Sequence, residues 1–245
     1  MFAKVLIIAA GLFTLGGLLM VLIHHLHNTS LSVRISDWIK YSVYMSVVGC
    51  MIFVCYMGFW VTIAVMGLIV VLAGFELYGN FKKKKVSKKA LIVSVAFIVL
   101  CLAHLFAEPT ALWQNSFIFL FLLVAVNDSY SQLWGRLVGR RKLFPRVSPA
   151  KTVEGAIGGM FSTVGAVFML AFLLTGVAIF VLVSVGVLVS MSATFGDFCF
   201  SYIKRQLEIK DFSGLLPGHG GILDRFDSLI LAAPVFYWAS RLLMA

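Results

Sequence analysis

The stretch from Ser201 to Asp227, SYIKRQLEIKDFSGLLPGHGGILDRFD, gathers residues able to do chemistry between two apolar segments. It holds four cations (Lys204, Arg205, Lys210, Arg225), four acids (Glu208, Asp211, Asp224, Asp227) and His219. Ionisable groups are costly beside hydrocarbon, so this density needs a chemical reason. Pro217 and the glycines at 218, 220 and 221 exclude a regular helix and predict a tight loop whose backbone amides approach an anion closely. Asp224 and Asp227, three apart at the start of the next apolar run, share one helical face, a spacing suited to a divalent metal. Cations for phosphates beside carboxylates for Mg2+ are the parts of a phosphoryl or nucleotidyl transfer site. The competing reading is a juxtamembrane loop whose charges meet water and lipid headgroups.

The elements that must position these residues are membrane spans. The 245 residues are 61% hydrophobic and 12% charged, with mean hydropathy +1.02, which excludes an ordinary soluble domain. Phe2 to Ile23 is long enough to cross about 30 Å of hydrocarbon and has no convincing cleavage site, so it reads as a retained helix. His24, His25 and His27 put at most two imidazoles on one face, with no nearby acid or cysteine, and read as an interfacial cluster. The Asn28-Thr29-Ser30 sequon is a chance match on this reading. Tyr41 to Tyr78 gives two helices joined at Gly58, with Glu76 either interfacial or facing the site. Six lysines between Lys82 and Lys89 hold a loop on one side. Residues 90–106 and 111–126, separated by Glu108-Pro109, make two more spans, with His104 read as packed or interfacial. Residues 153–174, 177–195 and 228–244 complete eight.

With alternate crossings, the loops at 24–40, 79–89, 127–152 and 196–227 share one side and hold 18 of the 20 Lys and Arg residues, leaving Lys4 and Arg241. The positive-inside rule places that side in the cytoplasm and both termini outside. It also accounts for the formal charge of +10 without nucleic acid. Cys50, Cys55, Cys101 and Cys199 lack C-x-x-C spacing and read as packing residues.

A second informative segment follows the fifth span. Asp128 stands at its membrane end, and Arg136, Arg140, Arg141, Lys142, Arg146 and Lys151 follow. Val147 to Gly159 reads V-S-P-x-K-T-x-E-G-x-x-G-G. Its Gly155-x-x-x-Gly159 suggests close helix packing. Asp197, at the end of the seventh span, points towards the same region.

The C-terminal order S-x-x-K-R, four residues, K-D, five residues, P-G-H-G-G-x-x-D-R-x-D resembles the signature of CDP-diacylglycerol synthases, the phosphatidate cytidylyltransferases. Every position is filled from Ser201 to Asp227. The S-P-x-K-T run after an aspartate-bearing helix end is similar to a second segment of that family. One departure stands out: many members carry D-S-G-A where this chain has Asp128-Ser129-Tyr130-Ser131, the pattern of a divergent branch.

The resemblance implies cytidylyl transfer from CTP to phosphatidate, giving CDP-diacylglycerol and pyrophosphate. It implies Asp128, Lys151, Asp197, Lys204, Arg205, Asp224 and Asp227 as the catalytic set. Substrate would be held by Ser148, Lys151, Thr152, Ser201, Lys204, Arg205, Lys210, Asp211, His219, Gly220, Gly221 and Arg225. Mg2+ or another divalent cation would sit on Asp128, Asp197, Asp224 and Asp227. The expected architecture is an all-α polytopic transmembrane bundle of about eight spans in one domain, residues 1–126 supplying N-terminal helices and 127–245 the catalytic part. The expected setting is a bacterial inner membrane with the site facing the cytoplasm; a homodimer stays open. Three competitors also stay open: the same chemistry on an isoprenoid or ether lipid phosphate, a transporter, and a non-catalytic paralogue.

Overall fold

The computed structural model describes residues 1–84, 88–103, 113–215 and 220–243. Among them lie eight α-helices: α1 (Phe2–Leu26), α2 (Leu31–Met57), α3 (Phe59–Lys83), α4 (Lys88–Ala103), α5 (Trp113–Val138), α6 (Val153–Leu170), α7 (Ile179–Gln206) and α8 (Leu223–Leu243). A 3-10 turn at Ala171–Leu173 extends α6. Six helices, all except α4 and α8, are long and apolar enough to cross a membrane. The chain is an integral, multi-pass membrane protein. The expectations at His104, Glu108-Pro109, Lys85 and His219 fall outside the described residues.

The break between α2 and α3 falls at Gly58, whose φ of +113° suits a residue without a Cβ. Four helix limits differ from the hydropathy reading. α2 begins at Leu31 rather than 41, α5 continues to Val138, α7 continues to Gln206, and α8 begins at Leu223. Hydropathy measures the hydrocarbon slab, whereas a helix keeps its backbone bonds for further turns outside it. Asp128 and Asp197 therefore sit inside helices, and much of each expected loop is helical. The rest of the 127–152 loop contains an antiparallel hairpin, β1 (Lys142–Phe144) and β2 (Ser148–Thr152), which pairs Lys142 with Thr152 and Phe144 with Ser148.

α5 is the central post. Its residues from Phe117 to Asn127 are all buried, as expected of a helix apolar all round. It packs on α1, α2, α6, α7 and α8. The α5–α6 seam is close at the two glycines of the G-x-x-x-G pattern: a Cβ at Gly155 would stand 2.6 Å from Ser131 O, and one at Gly159 would stand 2.9 Å from Asn127 O. Large apolar side chains on the outer helices, such as Trp60 and Phe161, are exposed and suit a lipid-facing surface. Cys50, Cys55, Cys101 and Cys199 are free thiols.

Candidate active site

The long α5 and α7 carry their polar residues on past the apolar stretch, where β2 and the start of α8 meet them. Asp128 on α5, Asp197 on α7, Asp224 and Asp227 on α8 line one cavity of about 390 Å³. Arg136, Lys151, Lys204 and Arg225 line it too, so four carboxylates face four cations. Ser148 and Thr152 complete the hairpin's contribution to the wall.

The two α8 acids do share a face, and Lys204 bridges them. Its Nζ lies 2.8 Å from Asp224 Oδ1 and 3.7 Å from Asp227 Oδ2, all three side chains being buried. An ammonium so desolvated is stable only with such partners, which makes the pair hard to break from one side. Asp224 has a further task. Its Oδ2 accepts from the backbone N–H groups of Phe212, at 2.9 Å, and Gly221, at 2.8 Å. Both of its oxygens are thus engaged in closing the loop ahead of α8. Gly220 turns that loop with φ +80°, and a Cβ there would stand 2.8 Å from Asp224 Oδ2. Among the described residues Asp227 Oδ1 accepts from the adjacent Ser228 N–H alone, at 2.9 Å, which leaves its carboxylate the less committed of the two.

On the opposite wall Lys151 ion-pairs with Asp197, whose Oδ1 accepts from the buried Ser201 hydroxyl at 3.3 Å. Thr152 ends the strand as N-cap of α6, its Oγ1 accepting from Gly155 N–H at 3.1 Å. This fixes the direction in which Lys151 leaves the hairpin. Asn127 donates to Asp128 Oδ1 at 3.3 Å and accepts from Ser190 Oγ at 2.6 Å, tying Asp128 to α7.

Three expected site residues lie elsewhere. Arg205 is exposed, and its Nε donates to Val147 O at 3.0 Å while its NH1 donates to Ile209 O at 3.1 Å. It clamps the hairpin onto α7 and does not line the cavity, because it leaves the helix about 100° around the axis from Lys204. Lys210 and Asp211 are exposed in the loop that follows. His219 lies outside the described residues, while Gly220 and Gly221 belong to the turn that Asp224 holds.

Glu76 faces the site region. Its carboxylate accepts from Ser213 Oγ at 2.6 Å, Ile222 N–H at 2.9 Å and Leu223 N–H at 3.0 Å. An acid from α3 thus satisfies the first free donors of α8, where a negative charge is favoured. Sequence reasoning saw the acid but not its target. It also missed Asp37, whose Oδ2 accepts from His24 Nε2 at 3.0 Å and Arg136 NH1 at 2.7 Å. His24 therefore has an acidic partner, reached across the α1–α2 turn, and Asp37 orients a cation of the cavity. An isolated acid ten residues after the histidine cluster was the available signal.

The departure at Tyr130 has a local explanation. No turn exists there; Tyr130 is buried within α5, and its hydroxyl donates to Leu12 O on α1 at 2.6 Å. Ser131 packs at the Gly159 contact.

Comparison with known proteins agrees with this geometry. The profile of the cytidylyltransferase family matches residues 112–243, which carry every aspartate of the cavity. An uncharacterized protein of Escherichia coli K12, YnbB, is 34% identical over 221 residues, covering 87% of this chain and 73% of that protein. Phosphatidate cytidylyltransferases of Staphylococcus saprophyticus and Staphylococcus aureus are 37% identical over 145 residues, or 59% of this chain. The chain spans 55% of the length of those enzymes. The chain belongs to the cytidylyltransferase family of nucleotidyl-transferring enzymes.

Proposed function

We propose that the protein transfers a cytidylyl group from CTP to phosphatidate, forming CDP-diacylglycerol and pyrophosphate in phospholipid synthesis. The observation that carries this reading is the single cavity in which carboxylates from α5, α7 and α8 meet Lys151, Lys204 and Arg225. A phosphate oxygen of the acceptor attacks the α-phosphorus of CTP, and the bond to the β-phosphate oxygen breaks as pyrophosphate leaves. No covalent enzyme intermediate is needed, so positioning and charge neutralisation supply the rate. Lys151 and Lys204 act as point charges towards the triphosphate, and Arg225 can engage two oxygens.

The donor set suits Mg2+ chemically. Hard carboxylate oxygens from three helices reach the cavity, and Mg2+ normally takes one or two carboxylates together with substrate phosphates. Among the described residues no three acids, histidines or cysteines form a cage by themselves. Asp128 and Asp227 are the residues that would hold the ion, since both oxygens of Asp224 and both of Asp197 are engaged by other partners. Bound there, the ion would neutralise charge on the phosphates.

The basic loop ends favour a cytoplasmic site in a bacterial inner membrane, where CTP is supplied. Cysteine labelling of intact cells, in a background lacking the four native cysteines, should reach Thr175→Cys in the α6–α7 turn and miss Gly214→Cys. The reverse pattern would invert the orientation.

The deciding experiment incubates purified protein in detergent with radiolabelled CTP, Mg2+ and a panel of lipid phosphates. Labelled CDP-diacylglycerol from phosphatidate is the expected product. Product from an isoprenoid phosphate alone would change the acceptor, and no product with any acceptor would remove the enzymatic reading.

A further inference from the structure

A second cavity, of about 150 Å³, lies between α1, α2 and α5. It shares Asp128, Gln132, Arg136 and Arg225 with the larger one, so the two meet at the carboxylate wall. It is less than half the size of the larger cavity, which suits it to the smaller of the two substrates' polar groups. Its walls are largely apolar, formed by Leu12, Phe13, Met20, Met45 and Leu133 among others. Its charged residues are Asp37, Lys40, Asp128, Arg136 and Arg225. Arg225, shared with the larger cavity, has its Nε buried with no hydrogen-bond partner among the described residues. Lys40 and Arg136 also line an open groove on α2 with Ser32 and Ser36. Asp37 uses one oxygen on Arg136 and His24, fixing the guanidinium while leaving donors on its other nitrogens free to take a second anion.

We propose that this smaller cavity is the acceptor site: it takes the monoester phosphate of a membrane lipid, gripped by Lys40, Arg136 and Arg225, with the glycerol against the apolar walls. The inference rests on the cytidylyl-transfer reading and assigns its second substrate to residues outside the family signature apart from Arg225. An anion with an apolar tail matches a pocket that sets three cations into a largely apolar wall, and the groove on α2 offers entry from the headgroup layer. The acceptor phosphate then meets the nucleotide at Asp128 and Arg225, where the cavities join.

The test is calorimetric binding of dihexanoyl phosphatidate to the full chain in detergent, for wild type, Lys40→Ala and Gly16→Leu, with CTP binding and thermal melts in parallel. A Cβ at Gly16 would find Leu133 Cδ1 at 3.7 Å, an ordinary contact, so leucine fills the cavity without forcing the backbone. Lys40→Ala should weaken phosphatidate about tenfold and Gly16→Leu more, with CTP affinity within about twofold of wild type. Should Gly16→Leu fail to fold, Lys40→Ala decides alone. Phosphatidate affinity unchanged in the folded variants, no phosphatidate binding by wild type, or equal affinity for glycerol 3-phosphate would each overturn the assignment. Loss of CTP binding in wild type would instead remove the cytidylyl-transfer reading and leave the lipid measurement standing.

Discussion

The half of the molecule built from α5 to α8 and the half built from α1 to α4 use charge in opposite ways. In the first, acids and cations crowd one cavity, and several of them, such as Lys204, Asp224 and Asp227, are buried against each other. In the second, single acids reach across to hold something in the first: Asp37 holds Arg136 and Glu76 holds the start of α8. The signature therefore gathers the residues that can meet substrate together with some that hold them, such as Asp224, whereas the supporting acids Asp37 and Glu76 lie outside it. The comparison predicts that damage to the first half costs turnover, and damage to the second costs stability together with turnover.

The largest effect should come from Asp227→Asn. Its carboxylate is buried in the cavity with little structural commitment, so turnover should fall on the order of 10² or more while the melt stays near wild type. Asp224→Asn should lower both. An amide must point its NH2 at either Lys204 or the Phe212 and Gly221 N–H groups, placing donor against donor. Steady-state rates and thermal melts of the two variants check this; equal melts would erase the division of labour between the two acids.

Glu76→Gln is the matching change in the N-terminal half. One carboxylate oxygen takes Ser213 and Ile222 and the other takes Leu223, so a glutamine again sets NH2 against a donor. A loss of about 1–3 kcal/mol is expected, with turnover falling because the Asp224 turn loosens. A native melt with wild-type turnover would show that α3 merely lies beside the site.

Much of this contrast was legible in the sequence, and the missing part has a physical cause. The α8 pair, the tight turn at Gly220, the Gly155–Gly159 seam and the break at Gly58 all depend on local spacing, which a sequence displays. Arg205 was misplaced because neighbouring helical residues diverge by about 100° around the axis, and only packing tells which of Lys204 and Arg205 faces inward. The partners of Glu76 and Asp37 were invisible because those contacts join residues far apart in the chain, such as Glu76 with Leu223 and Asp37 with Arg136. The helix ends were misjudged because apolarity stops at the interface while hydrogen bonding continues.

A smaller effect should follow from Tyr130→Phe. The hydroxyl is one strut between the halves, donating to Leu12 O, and its removal takes a second donor from a carbonyl that keeps its own helix bond. Polar contacts between membrane helices contribute about 0.6 kcal/mol on average and up to about 1.7, so a shift in that range is expected with turnover nearly intact. Phenylalanine keeps the ring that fills the space, and a thermal melt reads the difference. A large loss of turnover would mean that α1 must be held closely for the chemistry.

The smallest effect should come from a link between the halves that lies in water, Lys84 with Glu208. The Lys84 ammonium holds the Glu208 carboxyl below the ordinary carboxylate range. A carboxyl lowered in the folded state adds stability above its unfolded value and loses it as pH falls through the lowered one, so any contribution should vanish in acid and be complete at neutral pH. Both groups are well exposed, Glu208 at 77%, where salt screens the attraction and ordering two flexible chains opposes it. Glu208→Gln should therefore leave the neutral-pH melt and the turnover unchanged, in contrast to Glu76→Gln, which removes the same charge from a partly buried helix start. Melts of both variants between pH 4 and 7 make the comparison. A fall for Glu208→Gln as large as for Glu76→Gln would mean that charge between the halves, rather than backbone capping by a partly buried acid, holds them together.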